Sequence, residues 1–230
     1  MKKLIILVSL IVVCNNVFAA DNATIANLLD LKKCEKCDLT NADLKNANLE
    51  RAEIDYIDFS NASLEGANFN FAHMDEVNLT GAKAPNASFK AAYIHHSKFD
   101  NAIFNNSVFR GAELSKGKFR NIGATNADFS NAKLNSTVWQ NSILTNALFK
   151  YSKLNGADFE DANLDGANFE GADLTGINFT NAKLKGANFK GADLFISADQ
   201  YSTRYVSCKE LTDAGAIIDD KTKCERYYFK

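Results

Sequence analysis

Residues 41–60 read NADLKNANLERAEIDYIDFS, and the pattern of this segment continues without a change of frame to residue 194. A large apolar residue recurs at every fifth position from Leu39 to Leu194, and 26 of these 32 positions hold Leu or Phe. Ala lies two residues before the large residue at 21 positions, and Gly or Asn lies two residues after it at 21 positions. A period of five fits neither a helix nor a strand, so the repetition itself predicts the architecture.

Each pentapeptide is predicted to form one short wall of a coil. In a brief extended segment Ala42 and Leu44 point to one side, and Asp43 and Lys45 point to the other. The alternation restarts in the next repeat only if the chain turns a corner, and Gly and Asn tolerate the positive φ that such corners often need. The apolar pair is therefore predicted to face inward and the three other positions outward.

Residues spaced by twenty indicate how many walls close one coil. The positions that follow Leu49 at this spacing are all Phe, and those that follow Leu39 are mostly aromatic. The positions that follow Leu44 and Ile54 are mostly Leu. Aromatic and aliphatic walls thus alternate, which predicts a square cross-section with four pentapeptides per turn.

Two positions of the repeat depart from this pattern. Phe104 is the one aromatic residue of the Leu44 column, and Ala84 and Ala124 flank it one coil away on either side. This indicates compensation of a large residue by small neighbours, as close packing requires. Pro85, the only proline, is expected to mark a local irregularity.

The tandem motif A-(D/N)-(L/F)-X-(N/G) resembles the repeat of the pentapeptide repeat family, over about two-thirds of the chain. The resemblance implies an all-β fold, a right-handed quadrilateral β-helix (solenoid) of about eight coils stacked at ~4.8 Å. It leaves the biochemical role open, because one fold hosts many functions.

The first residues predict an exported protein. Lys2 and Lys3 precede an apolar run, and Val17-Phe18-Ala19 is an acceptable cleavage site, so residues 1–19 are interpreted as a signal peptide. The apolar run is too short to cross a bilayer as a mature helix, so no membrane insertion is expected after cleavage. We expect a periplasmic or secreted protein, delivered by bacterial Sec-type export.

The mature chain is predicted to have three parts. Residues 20–36 form an N-terminal cap with a short amphipathic helix, residues 37–196 the β-helix, and residues 197–230 a C-terminal extension. A lid is expected at the first coil because the open end of a β-helix exposes apolar core and unpaired backbone groups.

Four cysteines remain in the mature chain. Cys34 and Cys37 lie at inward positions of the repeat frame, and three interpretations stay open for them: small buried apolar residues, a local disulfide, or a redox-active CxxC motif. The oxidising compartment favours a disulfide between Cys208 and Cys224 in the extension. Such a bridge would stabilise the tail by about 3 kcal/mol in the chain-entropy model.

The sequence predicts a non-catalytic protein without a cofactor. The repeat frame has no insertion that would build a catalytic loop, and it contains no phosphate-binding loop, Ser-centred elbow or HExxH pair. We therefore expect a rigid rod whose surface serves protein interaction or self-association, with an unknown protein partner or a homodimer.

The alternative follows the family members that mimic DNA and bind topoisomerase. That role requires a strongly acidic surface, whereas residues 38–194 hold 19 acidic and 15 basic residues. The formal charge of the whole chain is −2, and removal of Lys2 and Lys3 makes it −4, so no basic excess favours nucleic acid binding either.

The three histidines form the first candidate site. His73, His95 and His96 all map to the wall of the Ile54 column, and His95 is expected one coil from Asp75. Imidazole and carboxylate groups are ligands of divalent metals, and imidazole titrates near neutral pH. His73, Asp75, His95 and His96 are therefore candidates for a metal site or a pH-responsive patch, against the alternative of ordinary surface pairs.

A second candidate site consists of apolar residues at outward positions. These positions are polar nearly throughout the repeat, and a contiguous exposed apolar patch often marks a contact surface. The predicted patch wraps one edge of the rod and comprises Ile103, Val108, Val138, Ile143, Leu148 and Tyr151. Degeneracy of the repeat and cover by the C-terminal extension are the alternative explanations.

Overall fold

The computed structural model describes residues 21–194 and 206–224. The predicted signal peptide and parts of the predicted C-terminal extension therefore lie outside the described residues. Two helices occur in these ranges, α1 at Asn22–Leu31 and α2 at Cys208–Asp213.

From Lys33 to Leu194 the chain winds into a coil held by isolated parallel bridges. The bridges join residues twenty positions apart, from Lys33 with Glu53 to Asp173 with Asp193, and a new bridge starts at every fifth residue. Each turn of the coil therefore has four sides of five residues, and each side pairs with the same side of the coils before and after it.

The corners of the coil use left-handed backbone two residues after each large apolar residue. Asn41 has a φ of 58°, Asn46 of 54° and Gly66 of 65°. Ala42 N donates to Leu39 O at 3.0 Å, which closes a turn whose third residue has positive φ. Gly and Asn are frequent at these positions because they adopt this conformation with little strain.

All large apolar residues of the repeat, from Leu39 to Leu194, are buried. Rings that follow one another along a column are stacked, as for Phe69 and Phe89 with centroids 4.9 Å apart. Rings of the two opposite aromatic columns meet edge to face across the interior, as for Phe159 and Phe169 at 6.0 Å. Both geometries are favourable for aromatic pairs, so the two aromatic columns form one continuous ring lattice.

Phe104 lies in the Leu44 column but packs against the aromatic columns on both sides. Its ring meets those of Phe89, Phe99 and Phe109 edge to face, with centroids 5.9, 6.0 and 5.2 Å apart. The alanines that flank it in its own column are fully buried. The large residue thus fills space that its two small neighbours leave.

The expectation of an irregularity at Pro85 is wrong. Pro85 O accepts a hydrogen bond from Gly66 N at 3.0 Å, and Ala87 N donates to Ala84 O at 3.3 Å, as at a regular corner. Proline fits the second position of a turn whose third residue, here Asn86 with a φ of 59°, has positive φ. The Pro85 ring therefore occupies a turn position whose backbone conformation is the one that proline prefers.

The corner at the histidines is one of several that lack the usual turn bond. Among the described hydrogen bonds there is none from Ser97 N to Ile94 O. The Ser97 hydroxyl accepts from Val77 N at 3.1 Å and donates to His95 O at 2.8 Å. The buried hydroxyl thus takes up Val77 N, the usual donor of the turn bond at the same corner of the preceding coil.

Helix α1 precedes the first coil. Asp21 caps it by accepting from Thr24 N at 2.8 Å, and Leu28 on its inner side is fully buried within the apolar core. The ladder of bridges begins at Lys33, inside the segment predicted as the cap. Cys34 and Cys37 then form a disulfide across the first corner, with Cα atoms 5.9 Å apart.

The described part of the C-terminal extension continues the coil. Ile217 pairs with Asn188, and Lys223 pairs with Asp193, so two further sides are added beyond the last repeat. Helix α2 lies before these sides, and its Leu211 is fully buried. A disulfide joins Cys208, at the start of α2, to Cys224, with Cα atoms 5.2 Å apart.

Candidate functional site

The outward residues of the repeats form four faces. We name each face after the first large residue of the column behind it: the Leu39, Leu44, Leu49 and Ile54 faces. Each face presents the residues directly before and after the large residues of its column, and residues twenty apart on a face are bridged neighbours. The candidate residues can therefore be placed by face and by coil.

The three histidines lie on the Ile54 face and its corner, and each contacts a different carboxylate. The contacts are His73 Nδ1 to Asp55 Oδ1 at 2.9 Å, His96 Nδ1 to Asp75 Oδ1 at 3.2 Å, and His95 Nε2 to Glu113 Oε2 at 3.6 Å. Asp75 thus contacts His96 and not His95, because the irregular corner turns His95 toward the following coil. Three separate pairs result.

Tyr93 separates His73 from His95 on this face. Its ring stacks on His73 with centroids 4.6 Å apart and on His95 at 4.1 Å. Among the described residues no group of three or more His, Cys, Asp or Glu side chains converges as a metal would require. The geometry is that of a stacked ring column bordered by carboxylates.

The predicted apolar patch is distributed over three adjacent faces and one corner. Ile103 and Ile143 lie on the Leu44 face and are 39% and 53% exposed. Val108 and Leu148 are half-buried on the Leu49 face, and Val138 is half-buried on the Leu39 face. The two isoleucines are therefore the most accessible of these aliphatic side chains.

On the Leu49 face an ion pair between a buried carboxylate and an exposed arginine interrupts the apolar surface. The backbone of Asp128 forms parallel β-bridges with Val108 in the preceding coil and with Leu148 in the following coil. The side chain of Asp128 is 11% exposed. Arg110 donates to its carboxylate, with Nε 3.1 Å from Oδ2. The apolar residues of this face are thus divided by a charged pair that sequence reasoning did not anticipate.

The environment of Asp128 favours its charged form. Burial alone raises the pKa of its carboxyl, but hydrogen bonds from the Ser130 hydroxyl and backbone N–H, together with Arg110, outweigh burial and lower the pKa below 3.8. The Arg110–Asp128 pair is therefore ionised at neutral pH.

A sequence signal for such pairs exists in the spacing of the residues. Several side-chain contacts join residues eighteen apart, because the residue after a large position lies beside the residue before the next large position on that face. Examples are Arg110 with Asp128, His73 with Asp55, and Gln140 with Asp158. A search for complementary side chains at this separation would have found the ion pair.

Tyr151 is 58% exposed at the corner after the Leu49 face. Its ring lies over Gly171, where an added Cβ would come within 2.5 Å of the ring. Its hydroxyl donates to Glu170 Oε1 at 3.3 Å. Tyr151 therefore lies flat against the rod and is separated from the two exposed isoleucines.

Comparisons with known proteins define the class of this chain. The model described as pentapeptide repeats matches residues 33–70, 125–161 and 162–195, and that described as a pentapeptide repeat region matches residues 52–129. Together they cover more than half of the chain, so it belongs to the pentapeptide repeat family, whose fold is the right-handed quadrilateral β-helix.

Similar solved structures are themselves pentapeptide repeat proteins. QnrB1, a plasmid-mediated fluoroquinolone resistance protein, is 21% identical over 81% of this chain and 88% of its own, with a TM-score of 0.47. The pentapeptide repeat protein alr5209 from Nostoc PCC 7120 is 26% identical over 49% of this chain and 84% of its own, with a TM-score of 0.39. HetL, involved in heterocyst differentiation regulation in Nostoc sp. strain PCC 7120, is 22% identical over 74% and 95%, with a TM-score of 0.27. No curated protein matches the chain.

In residues 21–194 and 206–224 neither helix has the length and apolar character needed to cross a bilayer.

Proposed function

We propose that this chain is an exported, non-catalytic repeat protein that binds other protein molecules through the side faces of a rod of about eight coils. Helix α1 caps one end of the rod, and the C-terminal extension covers the other. The observation that carries the proposal is the exposure of Ile103 and Ile143 on a face whose backbone is held by continuous bridges. Apolar side chains displayed on a rigid surface bind a partner with little loss of conformational entropy.

The location is proposed from the N-terminal sequence. Lys2, Lys3 and the apolar run with its site at Ala19 are typical of a cleaved signal peptide, which favours the periplasm or the exterior. The disulfides Cys34–Cys37 and Cys208–Cys224 support the same location, because such bonds persist in oxidising compartments.

The alternative of DNA mimicry has less support. Its surface would have to be strongly acidic, but basic residues occur on every face, and several carboxylates are neutralised by partners, as Asp128 is by Arg110. We therefore do not favour a topoisomerase as the target.

The test has two parts. A C-terminally tagged chain is fractionated with and without residues 1–19; we expect the intact chain outside the cytoplasm and the truncated chain inside. A photo-crosslinking residue is then placed at Ile143, with Lys153 on the opposite Ile54 face as the control position. Crosslinked protein at position 143 alone supports side-face binding, whereas a cytoplasmic intact chain, or equal crosslinking at both positions, contradicts the proposal.

A further inference from the structure

The Leu44 face differs from the other three faces in how its charged residues are used. Within the described residues every side-chain ion pair lies on another face, at the first corner or within α2. Glu65 and Lys83 on the Leu44 face are eighteen residues apart, the separation of the Arg110–Asp128 pair, yet they form no ion pair. Both side chains are exposed. The charges of this face are therefore available to a second molecule.

The middle of the Leu44 face, at positions 103–105, 123–125 and 143–145, carries no charged side chain. Ile103 and Ile143 project from it one coil on either side of Gly123. A Cβ added to Gly123 would meet only Asn105 Oδ1, at an ordinary 3.7 Å, and the backbone there is not left-handed. The fold thus does not require glycine at this position. Because Gly123 has no side chain, a gap lies between the two isoleucines.

We propose that the Leu44 face binds a second copy of this chain in antiparallel orientation, about a two-fold axis that passes through Gly123 along its extended segment. The proposal rests on the proposed function and names the partner of the same surface. Under this symmetry each coil before Gly123 meets the coil equally far after it in the second copy. Ile103 of each copy then packs beside Ile143 of the other, while the glycines on the axis allow close approach.

The charged residues of the face fit this symmetry. Glu65, three coils before Gly123, meets Lys185 of the second copy, three coils after it; both are exposed. Lys83, two coils before the axis, lies beside Asp165 of the second copy. In a parallel pair of rods each coil would instead face the same coil of the second copy, and Lys183 and Lys185 would lie against the same two lysines of that copy. Complementary charges therefore select the antiparallel arrangement.

The size of the face sets the expected strength of the contact. The coils that face each other under this symmetry run from Ser63 to Lys183, six steps of ~4.8 Å, and the face is about four extended residues wide at ~3.3 Å each, which gives roughly 380 Å² per copy. A total of about 760 Å² is below the ~1,000 Å² of a stable specific interface, so we expect a weak dimer with a dissociation constant on the order of 100 micromolar.

Sedimentation equilibrium of the purified mature chain, from low to high micromolar concentration, tests the proposal. We expect a reversible dimer. Gly123→Glu, which places a carboxylate beside its own symmetry mate, should raise the dissociation constant more than tenfold. Lys153→Glu on the opposite face, where the side chain is also exposed, is the control and should leave the constant unchanged.

A charge exchange tests the orientation of the two copies. Glu65→Lys and Lys185→Glu should each raise the dissociation constant several-fold, and the double variant should return it to within about threefold of the wild type, since the exchanged pair is again complementary. Circular dichroism melts check that every variant is folded.

A chain that stays monomeric, a dimer indifferent to Gly123→Glu, or a double variant no better than the single ones would overturn the proposal. A purified monomer that still gives crosslinks to other proteins at position 143 would exclude self-association and leave the proposed function intact.

Discussion

The Leu44 and Ile54 faces lie on opposite sides of one rod, yet they differ in whether their charged side chains form ion pairs. On the Ile54 face histidines pair with carboxylates, and Lys133 pairs with Glu113. On the Leu44 face Glu65 and Lys83 remain exposed without an ion pair, and two isoleucines project between uncharged residues. Because aliphatic columns of the same kind lie behind both, the difference shows that the fold leaves the outward residues free to specialise.

The largest expected effect concerns the column behind the Leu44 face. Phe104→Ala would leave three consecutive alanines there, and the packed coils can collapse only partly, so we expect a loss of about 4 kcal/mol in the free energy of unfolding. Leu134→Ala, behind the Ile54 face, is the matched control, with a loss of about 3 kcal/mol. Urea unfolding of both variants measures the difference. A smaller loss for Phe104→Ala than for Leu134→Ala would contradict the view that Phe104 fills the space of its neighbours.

The next effect concerns the ion pair on the Leu49 face, between the two faces compared. Arg110→Ala would leave the Asp128 carboxylate buried without its cationic partner, and we expect a loss of about 1–3 kcal/mol in unfolding free energy. Arg120→Ala removes a longer contact, 3.8 Å from the more exposed carboxylate of Asp100, and should change stability by less than about 1 kcal/mol. Chemical denaturation at pH 7 distinguishes them; equal losses would show that burial of Asp128 has no energetic weight.

From the same ion pair we expect the stability of the fold to depend on pH in the acid range. The folded-state pKa of Asp128 is lowered below 3.8, so its contribution is complete above the pKa of the unfolded chain and is lost as the pH falls through the folded-state pKa. Asp128→Asn should cost about 1–3 kcal/mol at pH 7, and the gap to the wild type should narrow below pH 3.8. Unfolding free energies measured from pH 7 to pH 2 check this. A gap that stays constant across this range would mean that Asp128 does not titrate differently in the two states.

The smallest effect compares single carboxylates on the opposite faces. A hydrogen bond from Lys133 lowers the pKa of Glu113, so Glu113→Gln should reduce stability by up to about 1 kcal/mol. Glu65→Gln should change the unfolding free energy of the monomer by no more than about 0.5 kcal/mol, because Glu65 forms no ion pair with residues 21–194 or 206–224. Thermal melts at low protein concentration, where a weak dimer dissociates, provide the measurement. A clear loss for Glu65→Gln under these conditions would show an intramolecular role.

The burial of the inward residues can be predicted from the sequence because one short pattern repeats. A residue such as Phe89 is buried whatever its neighbours do, since its frame position alone places it inside the coil. The corners are equally local, because Asn41 and Gly66 occupy positions that need positive φ. Membership of the family is visible for the same reason.

The side-chain contacts of the outward residues are harder to predict from the sequence, because they join residues of different coils. Asp128 was expected at the surface, but a partner eighteen residues away covers it. The corner at His95 departs from its repeat, and there the Ser97 hydroxyl accepts from Val77 N of the preceding coil and donates to His95 O. The pairing of Ile217 with Asn188 spans residues twenty-nine apart, and the pentapeptide frame contains no information on such a connection.

The continuous ladder of bridges has a consequence for how such a chain can change in length. The alternation of aromatic and aliphatic columns repeats every ten residues, whereas the faces repeat every twenty. Deletion of ten residues between Gly123 and Ile143 would therefore preserve the kind of packing in the interior while rotating all later residues by half a turn, so that Ile143 would move to the side of the histidines. The packing of the interior thus repeats every ten residues and the surface every twenty. A repeat frame without insertions or deletions maintains both periods along the whole rod.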